Sequence, residues 1–147
     1  MHTFILLLHI LAASIWTGGH LVLALTILPR VLREKSIAEL LRFEAGFETV
    51  GIPALIIQVT TGIWLAHDLI PEITLWFSLE NPLARLIMAK LCLLLMTLGL
   101  ALDARLKIIP NLTQDNLVIL AYHIIPVTLI SVLFIVVGVS FRAGGLF

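Results

Sequence analysis

The sequence predicts an all-α protein: an integral-membrane four-helix bundle with a short amphipathic helix between its first and second spans. Three observations carry that prediction. Hydrophobic residues make up 61% of the chain and charged residues only 12%, whereas a soluble domain is about half apolar and about a quarter charged. The apolar residues gather into four runs of about twenty residues or more, the length that crosses a bilayer. Each run must be helical, because in lipid a single segment satisfies its own backbone groups only as a helix. At 147 residues the chain reads as one four-span domain.

The first span covers residues 3–28 and stops at Pro29-Arg30. No basic residue precedes it and Arg30, Arg33 and Lys35 follow it, which marks a retained helix and not a cleaved signal peptide. Ser36-Ile37-Ala38-Glu39 then reads as a capping box. Ile37, Leu40, Leu41 and Phe47 recur at helical spacing after it, as in a short helix lying on the membrane surface. The competing expectation is an extension of the second span, bent at Gly51 and Pro53. The remaining spans cover residues 50–70, 83–102 and 117–141.

The basic residues orient the bundle. Arg30, Arg33, Lys35, Arg42, Arg105 and Lys107 fall on one side, and Arg85 and Arg142 on the other. Positive loops stay in the cytoplasm, so both termini are expected outside, in the periplasm, with the chain in a bacterial inner membrane. The outer loop is acidic, with Asp68, Glu72 and Glu80, and Trp64 and Trp76 flank it as an interfacial belt would.

Several functions are excluded. Nine basic against nine acidic residues leave no field for nucleic acid. One cysteine, Cys92, allows neither an intrachain disulfide nor a CxxC motif. Dinucleotide, P-loop, nucleophile-elbow and HExxH signatures are absent.

Function therefore rests on polar groups inside the spans, where ionisable side chains are costly and mark sites. These are His9, His20, Lys90 and His123, with His67 nearer a span end. His9 and His20 share a face of span one about 16 Å apart along its axis, with Trp16 between them. By depth, His20 and His123 pair toward the cytoplasmic side. His9, Lys90 and His67 gather toward the outer side. Two imidazoles from two helices of a bundle can ligate haem iron, so the expectation is haem b, one or two, with His20 and His123 as axial ligands and an outer site from His9 with His67 or Lys90. A copper site competes. It uses the same histidines, and Met88, Cys92 and Met96 form a sulfur stripe at i, i+4 and i+8 of the soft donors that select copper(I).

The run Leu8-His9-Ile10-Leu11-Ala12-Ala13-Ser14-Ile15-Trp16-Thr17-Gly18-Gly19-His20, followed by Leu28-Pro29-Arg30, resembles the first span of CopD-type copper-resistance membrane domains. Gly51-Ile52-Pro53-Ala54 with Thr61-Gly62-Ile63-Trp64-Leu65, and later Ala89-Lys90-Leu91, are similar to the second and third. The pattern is also similar to HemJ-type protoporphyrinogen oxidases, which are b-haem membrane proteins. That likeness implies roles for His9 and Lys90. Span four departs from it: the Asn-Glu before the proline of that family is replaced by Tyr122-His123-Ile124-Ile125-Pro126.

The expected function is a membrane b-type haem-binding redox or electron-transfer protein, which would make any enzyme a membrane oxidoreductase. The alternatives are a CopD-like copper-binding transport or resistance protein and a HemJ-like porphyrinogen-oxidising enzyme. Expected partners are the lipid bilayer, a redox partner of unknown identity and further copies of the chain as a homo-oligomer.

Overall fold

The structure, a computed structural model, describes residues 1–143. Four helices carry it: α1 (His2–Glu34), α2 (Ile37–Leu69), α3 (Pro82–Asn111) and α4 (Leu117–Ala143), each long and apolar enough to cross a membrane. No strand occurs among the described residues. Leu25, Leu95, Leu106 and Leu129 are each at least 60% exposed on the outside of the bundle. Side chains of this kind face lipid, so the chain is an integral membrane protein.

The helices run past the expected span ends. At ~1.5 Å per residue, their 27 to 33 residues exceed the ~30 Å of hydrocarbon. Helix α1 passes through Pro29, which has no N–H to give and whose ring crowds the carbonyl four residues back. A widened turn over Leu23–Ile27 absorbs that conflict: the Leu28 N–H reaches back to the Leu23 carbonyl, the five-residue spacing of a π-helix. The same solution recurs ahead of Pro110, where Ala104–Ile108 is widened and the Ile109 N–H bonds the Ala104 carbonyl.

Lys35, left-handed at φ 52°, turns the chain after α1. Ser36 then caps α2 by accepting the Glu39 N–H. The short amphipathic helix expected here is not a separate element. Its residues form the first turns of α2, which runs unbroken from Ile37 to Leu69 through Gly51 and Pro53. One missing N–H at Pro53 does not break a helix whose other backbone bonds have no competing water.

Cross-helix contacts set the arrangement. His2 meets Asp68 and Lys90 meets Gly138 toward the end where both termini lie, the terminal face. Arg105 meets Glu48 and His123 meets Asp103 toward the two tight connections, the loop face. Helix α1 packs on both α2 and α4, and α3 packs on α4. Helices α2 and α3 make little backbone contact, so a cleft separates them on the side away from the α1–α4 seam. Thr17 donates to the Ser131 carbonyl and Thr128 to the His20 carbonyl, tying α1 to α4 with the short polar side chains that membrane interfaces favour. Leu28, Val31, Leu40 and Leu120 close the loop end, and Ile70, Trp76, Ala84 and Ile87 close the terminal end. Trp64 is 36% exposed on α2, but Trp76 is buried at 6%. Trp76 therefore does not sit in an interfacial belt. It lies in the short 3₁₀ turn Ile73–Phe77 and donates its indole N–H to the Ile70 carbonyl at 2.8 Å.

Candidate functional site

Positions 2, 9 and 20 of α1 are separated by seven and eleven residues. Both intervals fall within ~20° of whole turns, so the three histidines line one face. That face looks onto two cavities stacked along the bundle. The terminal-face cavity, about 530 Å³, takes His2, His9 and Trp16 from α1, Gln58 from α2, Lys90 from α3 and Arg142 from α4. The loop-face cavity, about 390 Å³, takes Trp16, His20, Glu44, Glu48, Arg105 and His123. Trp16 and Leu55 border both and form the floor between them.

His9 and His20 are each fixed by one bond. Thr61 gives its hydroxyl proton to backbone carbonyls of its own helix, those of Ile57 and Gln58. Its oxygen therefore accepts from His9 Nδ1–H at 2.9 Å. His20 Nδ1 lies 2.8 Å from the Trp16 carbonyl, which only accepts. Both rings thus carry the proton on Nδ1 and leave Nε2 bare, the tautomer that a metal-binding imidazole presents. Gly62 allows the first contact: a β-carbon there would stand 3.1 Å from His9 Cε1. Phe47 steadies the second, its ring edge-on to His20 at 5.5 Å, while Trp16 packs on the other side at 4.5 Å.

His123 differs. Its Nε2 lies 2.9 Å from Asp103 Oδ2 and its Nδ1 3.2 Å from the Ile119 carbonyl. Both ring nitrogens face acceptors, so neither is bare while these contacts hold. His20 and His123 do border one cavity, but only His20 offers an open nitrogen. Lys90 leans toward the terminal face, with Nζ 5.3 Å from the Phe141 ring centre. No carboxylate lies within 4 Å of it among the described residues. His67, in the last turn of α2, is exposed and borders neither cavity. The sulfur stripe does not converge: Met88 is half-buried, while Cys92 and Met96 are exposed on the lipid side. Among the described residues no three His, Cys, Asp or Glu side chains stand close enough to form a ready-made metal cage.

Gln58 escaped the sequence reading. It is 8% exposed, borders the terminal-face cavity, and its Oε1 has no hydrogen-bond partner among the described residues. The signal was an amide in the middle of an apolar run. Asp103 and Thr61 escaped as well, because the sequence does not show which imidazole each one faces.

Fold and site together define a polytopic membrane bundle with two cavities, each bordered by an α1 imidazole whose Nδ1 is hydrogen-bonded and whose Nε2 has no hydrogen bond among the described residues. A family model described as Copper resistance protein D matches residues 41–141, roughly two thirds of the chain. The chain belongs to the CopD family. The match covers α3, nearly all of α4 and most of α2, and leaves the histidine face of α1 outside it. Neither a curated protein nor a solved structure matches the chain.

Proposed function

We propose that this chain is a copper-binding transport or resistance protein of the membrane, and that it takes the ion in the loop-face cavity with His20 as the principal ligand. The observation that carries this reading is the fixed tautomer of His20 inside a cavity that also holds carboxylates, in a member of a copper-resistance family. Imidazole nitrogen suits copper. A ligating ring characteristically gives its other N–H to a carbonyl or carboxylate, as His20 does to Trp16. Glu44 and Glu48 border the same cavity and supply negative charge, shared with Arg105 across the α2–α3 gap. His123 joins as a ligand when it releases one of its two acceptors. The loop face is the cytoplasmic one in this reading, on the strength of its basic residues, and the membrane is a bacterial inner membrane.

Metal analysis of the detergent-purified protein after copper loading and desalting tests it. The expected result is about one copper per chain, lost in His20→Ala and retained in His67→Ala. A chain that retains no copper removes the reading.

A second reading, b-type haem with a redox role, is favoured by one observation. The terminal-face cavity is large, lined by all four helices, and offers His9 Nε2 together with two basic side chains. Haem would supply one-electron chemistry there. His9 would present its bare nitrogen to the iron, and Lys90 and Arg142 would meet the propionates. A sharp alpha band in the reduced protein, removed by His9→Ala, is the outcome that selects it.

A further inference from the structure

The two cavities differ in the sign of their charge. The titratable side chains of the terminal-face cavity are His2, His9, Lys90 and Arg142, and no Asp or Glu borders it. In the loop-face cavity, Glu44 and Glu48 offset Arg105. An ammonium inside a bundle at membrane depth is expensive unless it is paired. Lys90 Nζ stands beside the Phe141 ring and the Gly138 backbone, and among the described residues it has no ion-pair partner. Asp68, the acidic residue nearest this end of α1, is already engaged by His2 at 2.8 Å. Among the described residues no carboxylate answers Lys90, and an acidic ligand would.

Position and access define that ligand. Lys90 Nζ lies at the level of Gly138 and Phe141, and Arg142 is in the last turn of α4. Both cations therefore sit toward the terminal face of the bundle. Below them the cavity walls are mostly apolar as far as the Trp16–Leu55 floor, with His9, Ser14 and Gln58 the polar side chains among them. Helices α2 and α3 make little backbone contact, which would let an amphiphile enter between them. The volume of about 530 Å³ is that of a small-molecule site. The buried Gln58, whose Oε1 has no partner among the described residues, adds a polar point within it.

We infer that the terminal-face cavity binds an acidic single-chain amphiphile from the membrane, a fatty carboxylate. Its head is held by Lys90 and Arg142 and its chain runs down toward Trp16. Charge-assisted bonds from an ammonium and a guanidinium are the strong way to hold such a head, and the apolar walls accept the chain. The site is separate from the copper site proposed above and does not depend on it.

Trp16 and Trp76 both border the cavity, so the protein reports its own occupancy. Replacing the partly exposed Trp64 by Phe leaves these two as the fluorophores. Bromine quenches indole at short range, so dibromostearate and its uncharged methyl ester are the probes, added to the full chain in detergent. The expected result is saturable quenching by the acid, with the ester at least about tenfold weaker. Lys90→Met and Arg142→Met each weaken the acid by about tenfold or more, while Lys90→Arg keeps most of the affinity because it keeps the charge. Equal quenching by acid and ester, or indifference to both methionine variants, overturns the inference. So does a haem absorption band that Lys90→Met abolishes, since the two cations then serve propionates.

Discussion

Phe47 occupies the space that a β-carbon on residue 19 would need. Its ring edge lies against the Gly19 backbone, and on the far side a β-carbon at Gly51 would stand 2.9 Å from Cε1 and Cζ. The ring is thus clamped between two glycines of different helices, and from there it meets His20 edge-on. These glycines let α1 and α2 approach and seat an aromatic wall beside the candidate copper ligand.

Gly19→Ala should therefore act on both packing and site. The ring cannot retreat far, because Gly51 backs it and Phe43 stacks on it at 6.0 Å. Overpacking of this kind costs about 1–3 kcal/mol. The expected outcome is a lower melting temperature in detergent and weaker copper retention. Gly18→Ala, which meets nothing within 4 Å, should leave both unchanged. Equal behaviour of the two variants would mean that Phe47 does not depend on the glycine gap.

Much of the fold was legible because lipid leaves the chain few choices. Four apolar runs correspond to four helices, and Ser36 with Glu39 marked a helix start, expected for a separate surface helix and realised as the first turn of α2. The helix ends were not legible. Pro29 reads as a stop, and the structure passes it with a widened turn, an accommodation the sequence does not advertise. In the site, periodicity placed His9, Trp16 and His20 on one face, and the cavities lie along that face. Depth arithmetic also put His20 and His123 at one level. It could not show that Asp103, twenty residues earlier, occupies His123 Nε2. Nor could it show that Thr61 fixes His9, because such pairings depend on rotation of helices about their axes. The sulfur stripe illustrates the same point: the spacing of Met88, Cys92 and Met96 is right for a shared face, but Cys92 and Met96 are exposed on the outside of the bundle.

From that placement, Cys92→Ser and Met96→Leu should leave copper content unaltered, singly and together. Lipid-facing side chains cannot reach an ion bound at His20 inside the bundle, as proposed above. Copper stoichiometry measured on the double variant is the check, and a fall comparable with that of His20→Ala would return the stripe to the site.

Orientation gives a further test. The loop-face helix ends carry Arg30, Arg33, Arg105 and Lys107, and basic residues are retained in the cytoplasm. In a background with Cys92 replaced by Ser, a cysteine at Glu39 should resist a membrane-impermeant thiol reagent in intact cells. A cysteine at Glu72, in the exposed connection between α2 and α3, should react. Labelling at 39 with protection at 72 would reverse the bundle and put the basic cavity mouth on the cytoplasmic side.

Gln58 offers the sharpest separation of ligand-bound from ligand-free behaviour. Its side chain is buried and its Oε1 has no partner, and leaving such a group unsatisfied costs about 1–3 kcal/mol. Leucine has a similar volume and no polar atom. Gln58→Leu should therefore raise the melting temperature of the delipidated protein, since the substitution removes the penalty without opening a hole. A cavity ligand that brings a hydrogen-bond donor to this depth gives Oε1 a partner, and the gain should then shrink or change sign. The measurement is a pair of thermal melts on wild type and variant, one with saturating 12-hydroxystearate, whose mid-chain hydroxyl can donate to Oε1, and one with stearate, whose carboxylate and chain cannot. The difference between the two shifts isolates the bond between amide and ligand from the bulk effect of the substitution. An identical shift in both conditions would show that Gln58 faces the cavity without touching what fills it.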